Sequence, residues 1–67
     1  MTRQKQSSLI QPILLSIPEV ADSLRLSRAM VYELIKLEGL PVLHFGRAVR
    51  VSVIALQQWV EDREKGA

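Results

Sequence analysis

The sequence predicts a small, mainly α domain: three short helices, with a two-stranded β-hairpin between the second and the third. Three observations carry that prediction. Serine stands directly before three stretches of apolar residues at helical spacing, at Ser16, Ser27 and Ser52. Gly39 and Pro41 close the second stretch, as helix stops do. Between Pro41 and Ser52 the pattern changes to short apolar runs on either side of Gly46, a strand–turn–strand signal.

Residues 1–8, MTRQKQSS, are polar and lack an apolar period. They are expected to form a mobile arm, with a single domain over residues 9–65. Leu9 to Leu15 is apolar but broken by Pro12. It reads either as an extended lead-in covering part of the core or as a segment that sticks to a second chain.

SIPEVADSL is a helix start. Ser16 is the expected N-cap and Glu19 the N3 residue of a capping box, with Pro18 in the first turn, where its missing N–H costs nothing. Ile17, Val20, Ala21 and Leu24 fall at i, i+3, i+4 and i+7, one apolar stripe. The helix should end near Leu24. Ser27 is the next N-cap, with Leu26 placed to staple onto Val31. Val31, Leu34 and Ile35 form the second buried stripe, and Gly39 the C-terminal stop. Only Arg25 and Leu26 separate the two helices, a connection so short that they must cross sharply.

Register in the hairpin, Val42 to Ser52, follows from the loop length. An odd-numbered loop pairs Phe45 with Val49 and Leu43 with Val51, and leaves His44 and Arg50 on the opposite face. A two-residue loop sets Arg50 beside Leu43 and Phe45, a costly place for a charge. The odd loop is therefore expected. Ser52 then caps the last helix, whose apolar face is Val53, Leu56, Trp59 and Val60, with Trp59 as a core anchor. EDREK is its polar end.

The chain has 67 residues and no cysteine, so disulfides and thiolate metal sites are excluded. One histidine with scattered carboxylates makes no zinc site. No nucleophile–base pair, carboxylate pair or phosphate loop is present, and neither an enzyme nor a cofactor is expected. No apolar run approaches the roughly 18 residues of a membrane span, so a cytoplasmic chain without a membrane partner is expected. Net charge is only +2. Its distribution says more. Residues 25–50 hold Arg25, Arg28, Lys36, Arg47 and Arg50 against Glu33 and Glu38, as expected where one face meets a polyanion.

Helix, tight turn, helix, hairpin, helix is the order of a winged helix-turn-helix. Such a bihelical unit offers the exposed N-terminal part of its second helix to the major groove of DNA. Ala21 sits where crossing helices need a small residue. Arg28, Ala29, Tyr32, Glu33 and Lys36 share the face opposite Val31, Leu34 and Ile35, a mostly long-armed and positive face suited to phosphates and base edges. Arg47, Arg50 and His44 on the hairpin, with Gly46 keeping its turn slim, form a candidate second clamp on the sugar-phosphate backbone or minor groove. The competing readings are a solvated helix face and an Arg50 paired with a carboxylate of the first or last helix.

In LSIPEVADSL, LSRAMVYELI, EGLP, FGRAVRV and ALQQWV, taken in order, the sequence resembles the excisionase-type, MerR-like helix-turn-helix family over roughly residues 15–60. The resemblance implies sequence-specific binding of double-stranded DNA by small basic proteins of mobile elements. Many bind and bend arrayed sites and help a cognate tyrosine recombinase, an integrase, to excise the element; others regulate prophage or plasmid genes. The chain departs from the family in three places. Arg25 stands where glycine is frequent and is strained by about 1 kcal/mol if left-handed. Met30 replaces a common threonine. Glu33 replaces a common basic residue, although glutamate can accept from cytosine N4. One module of this size buries on the order of 600–1,000 Å² on DNA, so cooperative self-association along the DNA is expected. A protein-interaction module is the reading from another class; phosphate binding weakens steeply with salt, and apolar docking does not.

Overall fold

The structure, a computed structural model, describes residues 12–66. The arm at 1–8 and the start of the domain at residue 9 lie outside the described residues. In chain order the elements are β1 (Leu14–Leu15), α1 (Ile17–Leu24), α2 (Arg28–Leu37), β2 (Leu43–Phe45), β3 (Ala48–Ser52) and α3 (Val53–Gly66). Three helices and a small antiparallel sheet make the winged helix-turn-helix that the sequence predicts.

Local chemistry fixes the ends of α1. The Ser16 backbone N–H donates to Glu19 Oε1 at 2.8 Å, and the Glu19 N–H donates to Ser16 Oγ at 3.4 Å, the reciprocal capping box. Ile17, Val20 and Ala21 are buried along the expected stripe. Arg25 ends the helix in the left-handed conformation, φ 61° and ψ 41°, and the Leu26 N–H returns to the Ala21 carbonyl at 2.9 Å. Serine again starts α2, where the Met30 N–H donates to Ser27 Oγ at 3.1 Å. Gly39, at φ +76°, turns the chain after Glu38, and glycine takes that conformation without strain. Leu40 can then drop into the core, only 2% exposed.

The sheet order is β1-β3-β2, antiparallel throughout. β1 adds a third strand to the expected hairpin: part of the apolar lead-in pairs Leu14 with Ser52 and Leu15 with Val51. The hairpin register differs from the expected one. Leu43 pairs with Arg50, His44 with Val49 and Phe45 with Ala48, so Gly46 and Arg47 form a two-residue loop. The reason lies in Gly46. Its φ is +63°, while Arg47 is not among the residues of positive φ. A positive φ at the first central position alone is the pattern of a type II′ turn, which matches the twist of the strands. Direct pairs share a face, so Arg50 does lie with Leu43 and Phe45 and not with His44. The penalty expected for that register does not arise, because this face is the outer one: Leu43 and Phe45 are exposed.

The core takes Ile17, Val20 and Ala21 from α1, Val31 from α2, Leu40, Val51 from β3 and Leu56 from α3. α3 starts where the Ala55 N–H donates to Ser52 Oγ at 3.2 Å. Trp59 is at the edge of this core and not its centre. It is half-buried, and its indole N–H donates to the Glu38 carbonyl at 3.1 Å. Arg63 stacks 4.7 Å from its ring centroid and pairs with Glu38 at 3.0 Å. This cluster ties α3 to the end of α2.

Candidate nucleic-acid interface

The face of α2 away from the core is built by helical geometry around one residue. Val31 is fully buried. At about 100° per residue, Ala29, Glu33 and Lys36 point most nearly away from it. Tyr32 occupies one flank of that face, Met30 and Leu37 the other, and Arg28, in the first turn, lies nearer the core side while still exposed. Arg28, Ala29, Tyr32, Glu33 and Lys36 are all exposed. Tyr32 is 52% exposed. The small Ala29 leaves the helix surface low between long arms. The N-terminus of α2 carries no acidic residue in its first turn, so its positive dipole end adds to Arg28.

The wing supplies the second positive group. Arg47 is the second residue of the turn and is exposed. Arg50 is half-buried, with Nη1 donating to the Val49 carbonyl at 2.8 Å. Among the described residues the only ion pair is Arg63–Glu38; Arg50 has no carboxylate partner of this kind. Its charge does reach Glu19, whose carboxyl is held below the ordinary value of 4.5. The backbone hydrogen bond from Ser16 is the largest cause, followed by the Ser16 hydroxyl, with Arg50 the smallest. His44 is exposed on the opposite face of the ribbon from Arg50. The structure therefore brings Arg50 together with Leu43 and Phe45, and separates it from His44.

No carboxylate occurs between Gly39 and Val60, so nothing on the hairpin dilutes Arg47 and Arg50. Sequence reasoning overlooked Leu43 and Phe45 as surface residues. The available signal was the parity of the valines: with Gly46-Arg47 as the loop, Val42, Val49 and Val51 fall on one face, and these three pack on or in the core.

A family model described as a helix-turn-helix domain matches residues 14–64. A search of curated proteins and a search of solved structures gave no match. With most of its length matched, the chain belongs to the helix-turn-helix domain family. DNA binding is the activity that this domain supports. Among the described residues no helix is long and apolar enough to cross a membrane.

Proposed function

We propose that the protein binds specific sites on double-stranded DNA and acts as an excisionase, bending attachment-site DNA so that a tyrosine recombinase can excise a mobile element. The observation that carries the DNA-binding reading is the exposed, cationic face of α2 beside a hairpin that carries two arginines and no acid, neither arginine in an ion pair among the described residues. The excisionase reading is supported by the ordered motif set from LSIPEVADSL to ALQQWV. Each residue has a role its chemistry suits. Arg28 reads guanine O6 and N7, and Glu33 accepts from cytosine N4. Ala29 lets the helix approach the base edges. Tyr32 and Lys36 hold phosphates, as do Arg47 and Arg50 on the wing; His44, on the other face of the ribbon, stands apart from that clamp. Several copies lie side by side on the DNA, in the cytoplasm and without a cofactor. The cognate integrase is the protein partner.

Footprinting with Arg28→Ala tests the recognition helix. The variant should lose about 1–3 kcal/mol of discrimination between its site and random DNA, and an unchanged base preference would remove Arg28 from the readout. A reconstituted excision reaction tests the biological role. Adding the protein to attachment-site DNA and its integrase should bend the DNA and raise excision. Equal excision without it would leave site-specific binding in the service of a transcriptional regulator.

A further inference from the structure

The hairpin carries an apolar face that neither the core nor the wing arginines explain. Leu43 and Phe45 alternate with His44 and so share one face of β2. Their cross-strand partners, Arg50 and Ala48, extend that face onto β3. Leu43 is 46% exposed and Phe45 56%, beside a turn whose glycine adds no bulk. An exposed phenylalanine and leucine side by side on one strand face make a small apolar patch next to the charged turn.

Charge identifies what covers them. Arg50 stands in the face itself, Arg47 lies two residues from Phe45, and no acid occurs between Gly39 and Val60; Glu19 of α1 feels Arg50 only as the smallest of the influences on it. The complement of this surface is anionic and also offers apolar area within a side chain's length of its charges. The sugar-phosphate backbone of DNA has that composition, with apolar deoxyribose faces between successive phosphates. Folded proteins also expose apolar area beside their charges, but a duplex bound at the exposed face of α2 is the polyanion that the helix-turn-helix fold brings to this chain.

We propose that Phe45 and Leu43 are DNA-contacting residues, packing on the deoxyribose rings of the strand whose phosphates Arg47 and Arg50 neutralise. This inference rests on the DNA-binding reading above and adds to it an apolar, salt-insensitive component of wing binding. Removing the exposed part of a phenylalanine from water is worth about tenfold in affinity. Sugar packing depends on groove width and backbone path, so the contact responds to DNA shape and not to base identity.

The test uses the full chain, a mixed-sequence duplex several helical turns long, and inorganic polyphosphate, which offers charge without sugar. Phe45→Ala should weaken duplex binding about tenfold. It should leave the slope of log affinity against log salt, the affinity for polyphosphate and the melting temperature unchanged. Leu43→Ala, on the same face, should repeat the pattern with a smaller loss. Arg47→Ala should do the reverse, lowering the salt slope by about 0.9. Duplex affinity indifferent to Phe45→Ala overturns the inference while leaving DNA binding by α2 intact. An equal loss on polyphosphate overturns it by making the effect one of charge, and a matching fall in melting temperature by making it one of folding. A change confined to self-association between chains gives the face to a second copy instead. Failure of the unaltered protein to bind any duplex sinks the DNA-binding reading itself, an outcome distinct from the others.

Discussion

At the scale of single residues, Arg25 and Glu19 show how side chains set the geometry of the bihelical unit. Arg25 was marked by the sequence as a departure, and it adopts the left-handed backbone, φ 61° and ψ 41°. The turn demands it, since only that bend returns the Leu26 N–H to Ala21 and leaves Ser27 free to cap α2. The strain is about 1 kcal/mol. Arg25→Gly should relieve it, less the larger entropy of the unfolded chain, and raise the melting temperature by a few degrees. A lower melting temperature would mean that the arginine side chain itself stabilises the turn. Glu19 links the capping box to pH. Its folded pKa is depressed below 4.5, so its contribution is fully present above that value and is lost as pH falls through the depressed one. Melts taken across the acid range should show stability falling below about pH 4.5, and Glu19→Gln should flatten that fall. An identical acid profile in the variant would assign the loss to other carboxylates.

At the scale of elements, the helices were legible and the hairpin only in part. Ser16, Ser27 and Ser52 all cap as read, because capping depends on a few neighbouring atoms that the sequence itself specifies. Strand register depends on which face the rest of the molecule covers, and that is a tertiary fact. Leu43 and Phe45 were expected to face Val51 and Val49 because that register keeps the charge of Arg50 off their face. The hairpin instead projects, so that all three residues of β2 are exposed, and the inner face goes to Val42, Val49 and Val51. The cost of a charge misled where parity and the position of Gly46 would have served. Trp59, read as a core anchor, packs against the core from its edge, where it donates to the Glu38 carbonyl and carries Arg63 on its ring. Trp59→Ala should still cost about 3 kcal/mol, the low end for so large a truncation, because α3 loses its hold on the end of α2. A melting temperature unchanged in that variant would show that the other contacts of α3 suffice.

At the scale of the whole molecule, the question is how two cationic groups on different elements act as one surface. α2 and the wing are held by a common core in which Val31 and Val51 are both fully buried, so neither can shift without disturbing the other. Close packing of that kind resists independent movement, and DNA gripped by both must conform to their fixed spacing. Replacing Arg47 and Arg50 together with alanine isolates the wing's share. If each neutralises one phosphate, affinity for any duplex should fall, and the slope of log affinity against log salt should drop by about 2 units, near 0.9 per contact. The fold should survive: Arg47 is exposed at the turn, and Arg50 gives up a bond to its neighbour's carbonyl and the smallest of the influences on Glu19. The ranking of DNA sites should survive too, since α2 is intact and backbone contacts carry no base information. A lost ranking with an unchanged slope would mean that the arginines read groove width or base edges. A much lower melting temperature would instead make Arg50 a structural residue, working through Val49 and the field it exerts on Glu19. Titrations at several salt concentrations beside a thermal melt separate the three, and a slope reduced by about 2 at constant melting temperature is the result that makes the wing a clamp.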